Sequence, residues 1–125
     1  MKPIALGLAG LLLAVSSAMA AKVMDASIGK VWTDEKGMTL YVFAKDEANK
    51  SNCYDECAKE WPPYLSAADA KAEGKWTLVE RTDGSKVWAF DGHPLYTYHD
   101  DKKPGDVNGD GVKDEFGEWS AAKEI

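Results

Sequence analysis

Apolar and polar positions alternate along most of the chain, and the breaks in that alternation mark out the elements. Val31-Trp32-Thr33 and residues 38–43 are β-rich runs separated by the turn cluster Asp34-Glu35-Lys36-Gly37, which predicts a hairpin. In the second run Leu40 and Val42 share one face and Tyr41 and Phe43 the other. Both faces are apolar, so this strand belongs inside the fold. Residues 76–81 and 86–90, separated by Thr82-Asp83-Gly84-Ser85, predict a second hairpin, and Asp91-Gly92 turns the chain into a further strand at 94–99. Residues 21–29 have no clear period and read as a lead-in. Residues 51–59 predict a helical turn, ended by Pro62-Pro63, because proline lacks a donor and constrains its predecessor. Residues 66–74 predict a short helix, with Ser66 as N-cap and Gly74 as stop.

Ahead of these elements, Lys2, an apolar run over 4–15 and Ala18-Met19-Ala20 have the form of a secretory signal over residues 1–20. Its apolar run is too short for a membrane span. Cleavage near Ala20 leaves 105 residues, enough for one domain over 21–125. The segment removed carries one basic and no acidic residue, so 14 basic and 21 acidic residues remain, a net −7. That balance excludes nucleic acid and anionic lipid as partners, since both demand a basic face. No Cys follows the apolar run, so no lipid anchor on an N-terminal Cys is expected. The product is expected to be soluble and periplasmic or secreted.

Cys53 and Cys57 are the only cysteines, an even count in an oxidising compartment, and their spacing suits a structural disulfide on a helical turn. The spacing fits neither a thioredoxin-type pair nor c-type haem attachment, and a structural zinc site would need more ligands than the chain has.

The chain also repeats itself. Residues 37–46 and 92–101 share Gly, Leu, Tyr, an aromatic residue and Asp at five places offset by 55, and Trp61 and Trp119 lie 58 apart. The fold expected is mainly β, with a small α+β arrangement as the variant. Antiparallel hairpins come from two pseudo-symmetric repeats (about 29–64 and 75–120), with one or two short helices and a disulfide staple. Tyr41, Phe43, Tyr96 and Tyr98 read first as core aromatics and second as a surface groove for a sugar or peptide. Asp46 and Asp101 sit where strands end, where Asp commonly bonds backbone donors of the next turn.

Residues 37–46, Ser51-Asn52-Cys53-Tyr54 through Cys57, Trp61-Pro62-Pro63 and residues 92–98 resemble a bacterial secreted-repeat family of unknown function. Many of its members are lipoproteins, and it is described by a Tyr-x-(Phe/Trp/Tyr)-x-x-Asp motif. The motif occurs here as Tyr41, Phe43, Asp46 and again as Tyr96, Tyr98, Asp101. The chain departs from many relatives in lacking the lipid-anchor Cys and in its longer Asp-rich tail. The resemblance implies an exported protein and no particular activity.

That tail holds the candidate metal chemistry. Asp106, Asn108, Asp110, Asp114 and the carbonyl of Val112 stand at the alternating positions of a calcium loop, with Glu118 one residue beyond the usual bidentate position. Pro104-Gly105 replaces the helix that would precede an EF-hand. The segment either binds Ca2+ weakly or is a solvated turn. His93 and His99 raise a copper or zinc alternative, although six residues of extended strand separate them by about 20 Å.

No catalytic motif appears, and adjacent acids such as Asp100 and Asp101 point to opposite faces of a strand. The expectation is therefore a non-enzymatic binding or interaction module of the cell envelope, with an unknown envelope protein or small ligand as partner. Metal binding is the first alternative, and a role accessory to envelope redox or stress responses is the second.

Overall fold

The computed structural model describes residues 21–123; the signal read from residues 1–20 lies outside them. Strands β1 (Lys22–Ala26) and β2 (Gly29–Thr33) form an antiparallel hairpin. Strand β3 (Tyr41–Phe43) follows, then helix α1 (Glu56–Glu60). The second half opens with the hairpin of β4 (Trp76–Glu80) and β5 (Lys86–Phe90), continues into β6 (His93–Pro94), and ends with β7 (Trp119–Ala121).

The two halves share one plan, and each completes the other. In the first half Leu40 N donates to Trp32 O, Ala122 N to Leu40 O, and Trp32 N to Ala122 O, at 2.8–2.9 Å. In the second half Leu95 N donates to Trp88 O, Tyr64 N to Leu95 O, and Trp88 N to Tyr64 O, at 2.9–3.0 Å. The third member of each ring comes from the opposite half. Residues 119–123 therefore pair into the first half, as β3–β7 and as the Val31–Lys123 bridge. Residues 63–65 pair into the second half, through Pro63–Tyr96 and Leu65–Val87. At the centre Tyr41 and Tyr96 bond each other's backbone in both directions, at 2.7 and 3.0 Å. The pseudo-two-fold axis passes between them.

This arrangement uses both apolar faces of the motif strands. Tyr41, Phe43, Trp61, Tyr96 and Trp119 bury on one side together with the disulfide. Leu40, Tyr64, Trp76, Trp88, Phe90 and Leu95 bury on the other. A unit of about 50 residues buries too little to stand alone, and here neither half has a complete sheet of its own.

Three expectations are corrected. Residues 21–29 include a strand, β1, whose side chains are mostly exposed, so no buried face marked it with a period. The turn at 34–37 does reverse the chain, through Asp34 N to Met38 O and the Thr33–Thr39 bridge. β3 nevertheless takes β7 as its ladder partner, and β2 takes β1. Residues 66–74 form turns and not a helix: Ser66 N is held by Lys86 O, and Gly74 adopts φ 60°. Alanine propensity alone does not sustain so short a helix without a buried stripe, and this segment is largely exposed.

Candidate functional site

The repeated motif forms a reciprocal lock at the pseudo-symmetry axis. Tyr41 Oη donates to Asp101 Oδ2 at 2.6 Å, and Tyr96 Oη donates to Asp46 Oδ2 at 2.7 Å. Each motif tyrosine thus binds the aspartate of the other motif. The second carboxylate oxygen turns back to its own half: Asn52 N donates to Asp46 Oδ1 at 2.6 Å and Asn108 N to Asp101 Oδ1 at 3.0 Å. The strand-end role expected of the aspartates is present, and the cross-half tyrosine bond adds to it.

Burial, followed by the bond to Asp101, raises the Tyr41 phenol above its ordinary range. Burial and then the charge of Asp46 raise Tyr96 in the same direction. Both phenols keep their protons throughout the physiological range. Burial also pushes Asp46 up to about 6, against the opposing bonds from Tyr96 and Asn52.

The remaining motif rings form a four-ring stack. Phe43 lies 4.1 Å from Trp119, Trp119 lies 3.9 Å from Trp61, and Trp61 lies 4.1 Å from Tyr98, with interplanar angles of 13°, 3° and 21°. Each motif aromatic covers the tryptophan of the opposite half. Gly109 lies against this stack: a Cβ there would come within 2.9 Å of the Trp61 and Tyr41 rings. Its N–H donates to Tyr41 Oη at 3.2 Å.

Cys53 and Cys57 form the expected disulfide, with α-carbons 5.3 Å apart. Beside it lies Arg81, only 4% exposed and absent from the sequence expectations. Its guanidinium donates to Ser51 Oγ at 2.7 Å and to Cys53 O at 2.9 Å, and lies 4.2 Å from the Tyr54 ring centroid. Ser51 Oγ in turn bonds Tyr96 Oη at 2.6 Å. A buried polar chain therefore runs from Arg81 through Ser51 and Tyr96 to Asp46.

The side chains of the acidic loop are engaged in hydrogen bonds within the fold. Asp114 accepts from the indole N–H of Trp61 at 3.0 Å and of Trp119 at 3.3 Å, and from the backbone of Phe116 and Gly117. Asp110 accepts from Ala121 N, and Asp106 accepts from Lys102 N, Lys103 N and the Lys103 ammonium. Asn108 donates its side-chain amide to Asp100 O, Glu118 pairs with Lys113, and Val112 N bonds Gly109 O. In this arrangement the carboxylates of the loop bond separate internal donors. His99 pairs with Asp100 at 3.1 Å, and His93 is exposed in β6. Among the described residues no three His, Cys, Asp or Glu side chains group as metal ligands.

Concave surfaces lie outside the lock, and two of them have aromatic or aliphatic walls. One, of about 220 Å³, has walls of Val42, Leu95, Ala121 and Ala122, with Asp91, His93 and Lys123 around it. The other, of about 540 Å³, has Phe43, Tyr54 and Phe116 as aromatic walls beside Lys45, Glu47 and Asn52. Tyr54 and Phe116 were not singled out in the sequence; their signal was an aromatic residue standing alone in a polar turn.

A family model described as a secreted repeat of unknown function matches the chain twice, over residues 22–64 and 77–123. The first match ends within the segment that crosses into the second half, and the second ends at Lys123, whose bridge to Val31 crosses the other way. No curated protein matches the chain, and neither does any solved structure. Among the described residues no helix is long and apolar enough to cross a membrane.

Proposed function

Because the chain belongs to a family of secreted repeats of unknown function, we propose that it serves in the bacterial cell envelope as a non-enzymatic module that binds a small ligand. The observation that carries this reading is the use made of the motif. Each carboxylate of the Tyr–Asp lock accepts one phenol from the opposite half and one backbone N–H from its own. Groups held in this way brace the two halves against each other, a positioning role within the scaffold. What the scaffold presents to solvent is concave surface with apolar walls and a few polar groups, the usual form of a ligand site. The signal form of residues 1–20 supports release of the protein outside the cytoplasm.

The test is a thermal-shift screen of the purified protein against chemically diverse envelope components: saccharides, peptides, fatty acids and metal ions. Mass spectrometry of each compound follows incubation. The expected result is a raised midpoint for at least one class, with the compound recovered intact. A compound that stabilises the protein and is consumed would make it an enzyme, and a screen with no shift for any class would remove the binding reading.

A further inference from the structure

We infer that the concavity walled by Phe43, Tyr54 and Phe116 is a saccharide site, taking the apolar face of a neutral sugar ring against its aromatic side chains; this deepens the binding reading above and rests on it. Its volume of about 540 Å³ lies within the range of small-molecule sites.

The walls are preorganised. The Tyr54 hydroxyl accepts from Thr82 N at 3.0 Å, and the Arg81 guanidinium lies 4.2 Å from the ring centroid. Arg81 is itself fixed by Ser51 and the Cys53 carbonyl. Phe43, only 5% exposed, is the end ring of the four-ring stack, 4.1 Å from Trp119, and backs the site while Tyr54 and Phe116 supply its more open rings. Aromatic rings already immobilised lose little conformational entropy when a ligand settles on them.

The polar groups define the ligand's chemistry. Lys45 and Glu47 bring opposite charges, so the local balance favours neither an anion nor a cation. Asn52 Nδ2 donates to Lys45 O at 2.9 Å and to Glu47 Oε2 at 3.4 Å, which leaves Asn52 Oδ1 as an acceptor. The Lys45 ammonium has no hydrogen-bond or ion-pair partner among the described residues and is an available donor. A sugar ring, with C–H groups on its face and hydroxyls that both donate and accept on its rim, matches apolar walls beside mixed donors and acceptors.

An extended peptide fits less well, because adding a strand requires open backbone donors. The N–H groups of Ala44, Asp46, Glu47, Asn52 and Phe116 are already bonded. The concavity at Val42, Leu95 and Ala122 has mainly apolar walls and suits a hydrocarbon body better than a polyol.

The experiment is an NMR titration of the isotope-labelled protein with glucose, N-acetylglucosamine and the β-1,4-linked disaccharide of each, at millimolar concentrations. Saturable shifts at Lys45, Glu47, Asn52, Tyr54 and Phe116 are expected. Phe116→Ala should weaken affinity about tenfold, as loss of a central aromatic contact does, and Lys45→Ala provides a second variant on an exposed residue should the first perturb folding. Shifts that ignore both variants would place sugar binding elsewhere and overturn the assignment. If sugars give no response while another class raises the midpoint, the saccharide assignment fails and the binding-module reading survives; silence across every class defeats both.

Discussion

Asp46 and Asp101 make the same pair of bonds in the two halves, and the burial of Asp46 has a measurable consequence. Asp46 is pushed up to about 6, chiefly by burial, whereas in an unfolded chain it titrates near 3.9. Between these values the folded protein holds a proton that the unfolded chain has lost. The contribution of Asp46 to stability is therefore greatest below about pH 4, falls as pH rises through 6, and is level above that. On acidification from pH 7 to pH 4.5 the thermal midpoint should rise, by roughly 1–3 kcal/mol of stability at most. In Asp46→Asn the rise should shrink to what relief of the overall negative charge supplies. Equal slopes in the two proteins would show that Asp46 does not titrate in this window. At this scale the sequence was half legible. A strand-end Asp turning back to a nearby N–H is a local pattern, whereas its tyrosine lies 50 or 60 positions away, and nothing in the composition of one repeat says that its hydroxyl crosses to the other.

The elements show how one repeat position is stabilised by two chemistries. Between Asn52 and Trp61 the first half places a disulfide and the short helix α1; between Asn108 and Trp119 the second half places a loop gathered around Asp114. Replacing both cysteines by serine should cost about 2 kcal/mol, because the bridge closes only a short loop. Asp114→Ala should cost more, about 2–4 kcal/mol, since it strips acceptors from two indole N–H groups and two backbone N–H groups at once. Urea denaturation of the two variants ranks them, and the reverse order would mean that the disulfide is the principal staple. The same comparison explains why the loop reads as a cation site in sequence: spacing of Asp and Asn specifies oxygen atoms but not where they point. Hairpin β4–β5 was legible because its turn lies between two strands that pair with each other. The β3–β7 ladder was not, because its partners lie at opposite ends of the domain, and the turn next to β3 suggests a closer one.

For the whole molecule the governing fact is the exchange of terminal segments between halves. The duplication was readable from the recurring Leu-Tyr-x-aromatic pattern and predicted that two copies share a core. That each copy lends its last segment to its neighbour was not readable, since a repeat has the same sequence whether its final strand closes on itself or on its twin. A break in the exposed 66–74 connection should leave two fragments that regain native near-ultraviolet circular dichroism when mixed, while each alone stays largely unfolded. A fragment that folds to a stable monomer alone would contradict the exchange.

A growing polypeptide meets this constraint in time as well as in space. Residues that finish the amino-terminal sheet are made about a hundred positions after that sheet begins, so an early native intermediate has no complete template to settle into. The first sheet is therefore closed only once residues 119–123 are available to pair into it.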